Sequence, residues 1–126
     1  MNYQRVIITR RGGPEVLKVI DDSLPEPRPG EVRVRVIATG VAFADVLMRE
    51  GLYRGIPAFP FTPGYDIVGI VEGGARNLQP GQAVVALTKI GGYAEYLNVP
   101  EESLVPIPDG LDPAEAVSLV LSSLSI

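Results

Sequence analysis

Glycine and proline cut this chain into segments too short for long helices: 14 glycines and 12 prolines are spread through 126 residues. Short runs bounded by such residues predict a mainly β domain with many turns. The clearest strand is 31–37, where Val32, Val34 and Val36 alternate with Arg33 and Arg35. That period places the valines on a core face and the arginines in water. Just before it, Pro25-Glu26-Pro27-Arg28-Pro29-Gly30 is a stiff turn with few amide donors. Further strands are expected at 4–9, 16–20, 67–72, 83–87 and 93–99, with a short edge piece at 104–107. Together they suffice for a barrel.

Two segments read as helical. A short helix is expected over 45–50, stopped by Gly51. The longer helix starts at Asp112, which can cap it, with Pro113 in the first turn and Glu115 placed as in a capping box. Ala114, Ala116, Val117, Leu119, Val120, Leu121 and Leu124 leave it apolar nearly all round, so it expects burial on several sides. No stop signal precedes Ile126, and a C-terminal helix that is cut off is the expectation.

The length suits one domain able to bury roughly two-thirds of its unfolded surface. Fifteen acidic against eleven basic residues, the latter dispersed, offer no stripe for nucleic acid. No apolar run approaches the roughly 20 residues that span a bilayer, and the first residues do not read as a secretory signal. Cytoplasm is the expected location. The residues include no histidine and no cysteine. A zinc-type site of nitrogen and sulfur ligands therefore cannot be built from them.

Several motifs carry a family resemblance: Gly12-Gly13-Pro14-Glu15-Val16-Leu17, Pro29-Gly30-Glu31-Val32, Phe43-Ala44-Asp45 and Arg49-Glu50-Gly51-Leu52-Tyr53. Pro63-Gly64-Tyr65-Asp66, Gly91-Gly92-Tyr93-Ala94-Glu95-Tyr96 and Ile107-Pro108-Asp109-Gly110-Leu111 follow in order. Together they resemble the N-terminal catalytic domain of the zinc-free quinone oxidoreductases, the zeta-crystallin-like branch of the medium-chain dehydrogenase/reductase superfamily. The resemblance covers essentially all of residues 1–126. It implies a GroES-like, partly open β-barrel with short helices, paired in the family with a Rossmann domain that binds NADPH.

Some departures are visible. No Gly-x-Gly-x-x-Gly opens a helix in these residues, so the Rossmann half is absent from them and they should be inactive alone. The loop from Gly73 to Pro80 is about three residues shorter than in relatives, and Gly81-Gln82-Ala83-Val84 replaces a typical Gly-Asp-Arg-Val; turns tolerate both. Where zinc-dependent relatives carry ligands, this chain resembles them at Ala42, Tyr65-Asp66 and near Leu121, and only Asp66 could ligate. A lobe of four structural cysteines is missing between Leu87 and Tyr93.

Without a metal, a substrate carbonyl must be polarised by hydrogen bonds or need little help. A quinone or an α,β-unsaturated carbonyl fits, since hydride arrives at a conjugated carbon. Tyr53 resembles the proposed donor of the enoyl-reductase relatives, and an unperturbed phenol is protonated at neutral pH. Its plain alternative is an amphipathic rim residue. The resemblance places Phe43 and Asp45 on the nicotinamide side, with Phe43, Tyr65 and Arg49 toward the substrate. Asp45 equally suits a helix cap, Phe43 the core, and Arg49 and Arg54 a solvated surface. Asp66 reads as a structural acceptor rather than a base. Residues 56–63 are a rigid apolar loop, either packing over the barrel or walling a cleft.

Two other readings stand beside the enzyme. One is a binding module like the chaperonin co-factors, although Arg76-Asn77-Leu78 is not their apolar tripeptide. The other is a scaffold. In any of these the apolar final helix invites self-association into homo-oligomers.

Overall fold

The computed structural model describes residues 1–39, 58–64, 66–73, 75–88 and 90–107. Their strands are β1 (Asn2–Ile8), β2 (Leu17–Ser23), β3 (Glu31–Thr39), β4 (Asp66–Gly73), β5 (Ala83–Leu87), β6 (Tyr96–Pro100) and β7 (Val105–Pro106). β1 and β2 pair as an antiparallel hairpin, and the other five form an open antiparallel sheet in the order β6-β3-β4-β5-β7. This is the mainly β, partly open GroES-like barrel anticipated above. The helices expected at 45–50 and from Asp112 lie outside the described residues.

The core follows from the alternation in β3. Val32 and Val34 are fully buried and meet Ile67, Val71, Val84, Ala86, Val99 and Leu104. Central β4, paired with β3 on one side and β5 on the other, is buried without alternation from Asp66 to Gly69. Gly69 is needed there because a Cβ would strike Val34 Cγ1 and the Arg35 carbonyl. Strand β3 shifts register between Val36 and Ala38, a bulge that leaves Ile37 exposed.

Three sequence expectations change. Val16 is not the start of a strand; it is buried in a 3-10 turn over Pro14–Val16, where the Val16 amide donates to the Gly13 carbonyl at 3.2 Å. Proline's fixed φ favours that turn over extension. Residues 93–95 are likewise outside β6, because they serve two different neighbours. The Glu95 amide donates to Gln4 while its carbonyl accepts from Val36, so no single ladder can form. Arg33 is not simply in water. Its Nη2 donates to the Pro25 carbonyl at 2.8 Å, tucking the side chain under the proline-rich turn, whereas Arg35 is exposed and pairs with Glu72 at 3.3 Å.

One carboxylate ties a loop to this frame and a second joins the two strands of the hairpin. Glu101 accepts the amides of Arg76 and Asn77, both at 2.8 Å, and these bonds hold its carboxyl below the ordinary glutamate range. Asp22 is held low mainly by the Arg5 guanidinium, then by the Ser23 amide. A carboxyl with a depressed folded pKa adds stability above its unfolded value, and that stability drains away as pH falls through the folded one. The expected result is a urea midpoint steady down to about pH 5 and falling below it, given ordinary values of 4.5 and 3.8 for these groups. Glu101→Gln should flatten that acid limb; an unchanged limb would show that other groups control it.

Candidate functional site

The structure brings its motif-bearing segments together where Thr62–Gly64 crosses Gly91–Tyr93. Three amides cross the junction: Gly91 to the Thr62 carbonyl at 2.8 Å, Tyr93 to Pro63 at 2.9 Å and Gly92 to Gly64 at 3.2 Å. The two backbones lie so close that a Cβ on Gly64 would fall on the Cα and N of Gly92 and 2.5 Å from the Tyr93 nitrogen. Gly64 also has φ 125°, a conformation side chains resist. Only glycine satisfies both conditions. A Cβ on Gly92 would in turn press on Ile67, the Gly64 carbonyl and the Thr39 hydroxyl at 2.9–3.0 Å.

Side chains then lock the crossing to its surroundings. At the end of β3, Thr39 Oγ1 donates to the Asp66 carbonyl at 2.7 Å. Just past β5, Thr88 Oγ1 donates to the Gly64 carbonyl at 2.7 Å. From β1, Arg5 reaches Asp22 Oδ2 through Nε at 3.0 Å and Nη2 at 2.8 Å, while its Nη1 donates to Thr62 Oγ1 at 2.8 Å. The planar guanidinium thus joins the hairpin to the crossing with three directed donors. A groove of about 480 Å³ opens alongside, lined by Val6, Val19, Val36, Thr39, Gly92 and Tyr93 among others.

Of the residues singled out from sequence, Phe43, Asp45, Arg49, Tyr53 and Tyr65 lie outside the described residues, as do Ala42, Arg54 and Leu121. Asp66 is described: it opens β4 and is 1 % exposed, a position that suits a structural acceptor better than a solvent-facing base. In the apolar loop, Phe59 and Phe61 stack with centroids 5.6 Å apart, and Phe61 is buried beside β1, where its carbonyl accepts the Ile8 amide. Packing is thus one role of this loop. Sequence reasoning missed Thr39, Thr88 and the Arg5–Thr62 bond. The one available signal was a hydroxyl residue at the end of each strand that flanks β4. Among the described residues no cluster of acidic side chains could hold a metal ion.

Comparison with known proteins places this geometry. Residues 28–109 match the alcohol dehydrogenase GroES-like domain. Quinone oxidoreductase of Rattus norvegicus is 36% identical over 113 residues, covering 86% of this chain and 34% of that protein. The chain therefore spans about a third of the length of such relatives. The crystal structure of quinone oxidoreductase from Thermus thermophilus superposes with a TM-score of 0.80 at 42% identity, over 91% of this chain and 36% of that one. The human synaptic vesicle membrane protein VAT-1 homolog-like protein superposes with a TM-score of 0.91 at 29% identity, over 100% of this chain and 43% of its own. The chain belongs to the alcohol dehydrogenase GroES-like domain family, in the quinone oxidoreductase branch of the medium-chain dehydrogenase/reductase superfamily.

Proposed function

We infer that residues 1–126 are the catalytic-domain part of an NADPH-dependent oxidoreductase that reduces quinones or α,β-unsaturated carbonyls without zinc. The observation that carries this reading is a reductase-family barrel built from a chain with no histidine or cysteine. By the resemblance, the family's zinc enzymes place ligands at positions 42, 65–66 and near 121; here these hold Ala, Tyr-Asp and Leu, and only Asp66 could ligate. NADPH is supported by the solved Thermus quinone oxidoreductase, which forms a complex with it.

When bound, NADPH would supply a hydride to a conjugated carbon of the acceptor, and this chain would supply the proton for the carbonyl oxygen from the Tyr53 hydroxyl, or leave it to water. The family resemblance assigns Phe43 and Asp45 a cofactor-binding role and Phe43, Tyr65 and Arg49 a substrate-binding role. The dinucleotide is gripped chiefly by a Rossmann domain outside these residues, so the 126 residues by themselves are inactive. The working protein is a cytoplasmic homo-oligomer with neither nucleic acid nor membrane as partner.

The non-catalytic reading as a binding module is less well supported. Its docking loop would be 76–78, yet Glu101 pins two of those amides and Leu78 packs against the core.

The test is NADPH oxidation by the complete gene product. Tyr53→Phe should lower kcat for an enone by about 100-fold, the usual scale for loss of a general acid. With a quinone the loss should stay within about threefold, because water protonates a quinol anion readily. Equal losses on both substrates would remove Tyr53 from the proton path. Failure of the complete protein to bind NADPH would end the enzyme reading.

A further inference from the structure

We propose that the outer edge of β2 is an interface for a second copy of this chain, which adds its own β2 antiparallel across a two-fold axis at Ile20. Among the described residues β2 pairs with β1 alone, and Leu17 and Val19 are 38% and 61% exposed along it. The hydrogen bonds at both ends of the hairpin fix which amides face outward. Leu24 donates to the Met1 carbonyl at 2.9 Å and Thr9 to the Val16 carbonyl at 3.0 Å, so the even-numbered residues of β2 bond to β1. The same alternation turns the amides of Val6 and Ile8 the other way, toward Tyr93 and Phe61. Leu17, Val19, Asp21 and Ser23 therefore direct their backbone groups away from β1. Two of those amides are already used: Leu17 donates to the Pro14 carbonyl, and Ser23 to Asp22 Oδ1 at 2.8 Å. The donors left on the edge belong to Val19 and Asp21, placed symmetrically about Ile20.

A second β2, turned antiparallel, satisfies both donors. Val19 and the partner's Asp21 exchange amide–carbonyl bonds, and Asp21 does the same with the partner's Val19. Side chains select that register, because directly opposed residues share a face and interact. Lys18 meets the partner's Asp22, twice by symmetry, with Ile20 against the partner's Ile20 between the two ion pairs. A slide of two residues one way sets Asp21 against the partner's Asp21. A slide the other way sets Lys18 opposite the partner's Ile20 instead of a carboxylate. Opposed unlike charges stabilise a strand pair and like charges weaken it, so the edge is complementary to itself in one register. An isologous contact of this kind closes on itself and stops at a dimer. It uses none of the residues assigned to chemistry, and it gives the proposed homo-oligomer a contact made by this domain.

Sedimentation equilibrium of the 126-residue chain should show a monomer–dimer equilibrium. Lys18→Glu sets a carboxylate against the partner's Asp22 and should raise the dimer Kd by about tenfold. Val19→Lys sets an ammonium against the partner's Asp21 and should leave Kd unchanged or lower it, whereas a contact made by exposed valine alone would be weakened. From dilute to concentrated samples, amide exchange at Val19 and Asp21 should slow by about fivefold or more, with Ile20, bonded to β1, unchanged. A monomer up to about 1 mM overturns the proposal. So does a dimer indifferent to Lys18→Glu, a dimer weakened by Val19→Lys, or one in which Val19 and Asp21 exchange as they do in the monomer. Each of those dimers places the contact elsewhere and leaves the homo-oligomer standing. Neither readout involves NADPH or a quinone, so failure of the oxidoreductase reading leaves this result intact.

Discussion

Replacing Gly64 with alanine should cost about 3–5 kcal/mol, close to the whole stability of a marginal domain. Two independent effects add. Holding φ at 125° costs an L-residue on the order of 1–3 kcal/mol. The new methyl group also meets backbone, not a flexible tip: the Gly92 Cα and nitrogen and the Tyr93 nitrogen. Relief requires the strands of the crossing to part, which weakens the Tyr93–Pro63 and Gly92–Gly64 bonds, each worth about 0.5–1.5 kcal/mol. Gly30→Ala is the matched control, since Gly30 has φ 84° but open space around its Cβ position. It should cost only the backbone penalty, about 1 kcal/mol. Urea midpoints of the two variants decide the matter: if Gly64→Ala is no worse than Gly30→Ala, the close approach of the two segments is not what the crossing depends on.

The contrast between those glycines shows what the amino-acid order makes legible and what it hides. Alternating valines at 32, 34 and 36 announce β3 because its inner face is set by a period-2 rule acting within one strand. The apolar run 67–71, broken only by its glycine, announces a strand by an equally local signal, while its central, buried place emerges only in the fold. The crossing is different. Gly64 and Gly92 can each be seen as turn-formers, but nothing in either segment says that they face one another. Thr39 reaches over 27 positions and Thr88 over 24 to their acceptors, and Arg5 over 57 to Thr62. Such bonds arise only once the sheet has brought distant strand ends together. The start of β6 is hidden for a related reason: Tyr93-Ala94-Glu95 has a strand-like composition, and its departure from a ladder comes from having β1 on one side and β3 on the other.

Ile67 joins the core to that crossing, and its truncation should show the coupling. The side chain is 1 % exposed, belongs to the cluster around Val34 and Val84, and its Cγ2 lies 2.9 Å from where a methyl group on Gly92 would sit. Ile67→Ala should cost about 2–5 kcal/mol, as lost burial and a residual cavity add. Gly92→Ala alone should cost about 1–3 kcal/mol by overpacking against Ile67, the Gly64 carbonyl and the Thr39 hydroxyl. In the double variant the new methyl group enters space that Ile67 vacated, so the total should fall short of the sum by about 1 kcal/mol. The difference is read from denaturant midpoints of the four chains at one pH. Additivity within about 0.3 kcal/mol would mean that Gly92 is confined by the two polar groups alone. The tightness of the crossing would then owe nothing to the core beneath it, and the Gly64 carbonyl and Thr39 hydroxyl, not Ile67, would set the room available beside the groove.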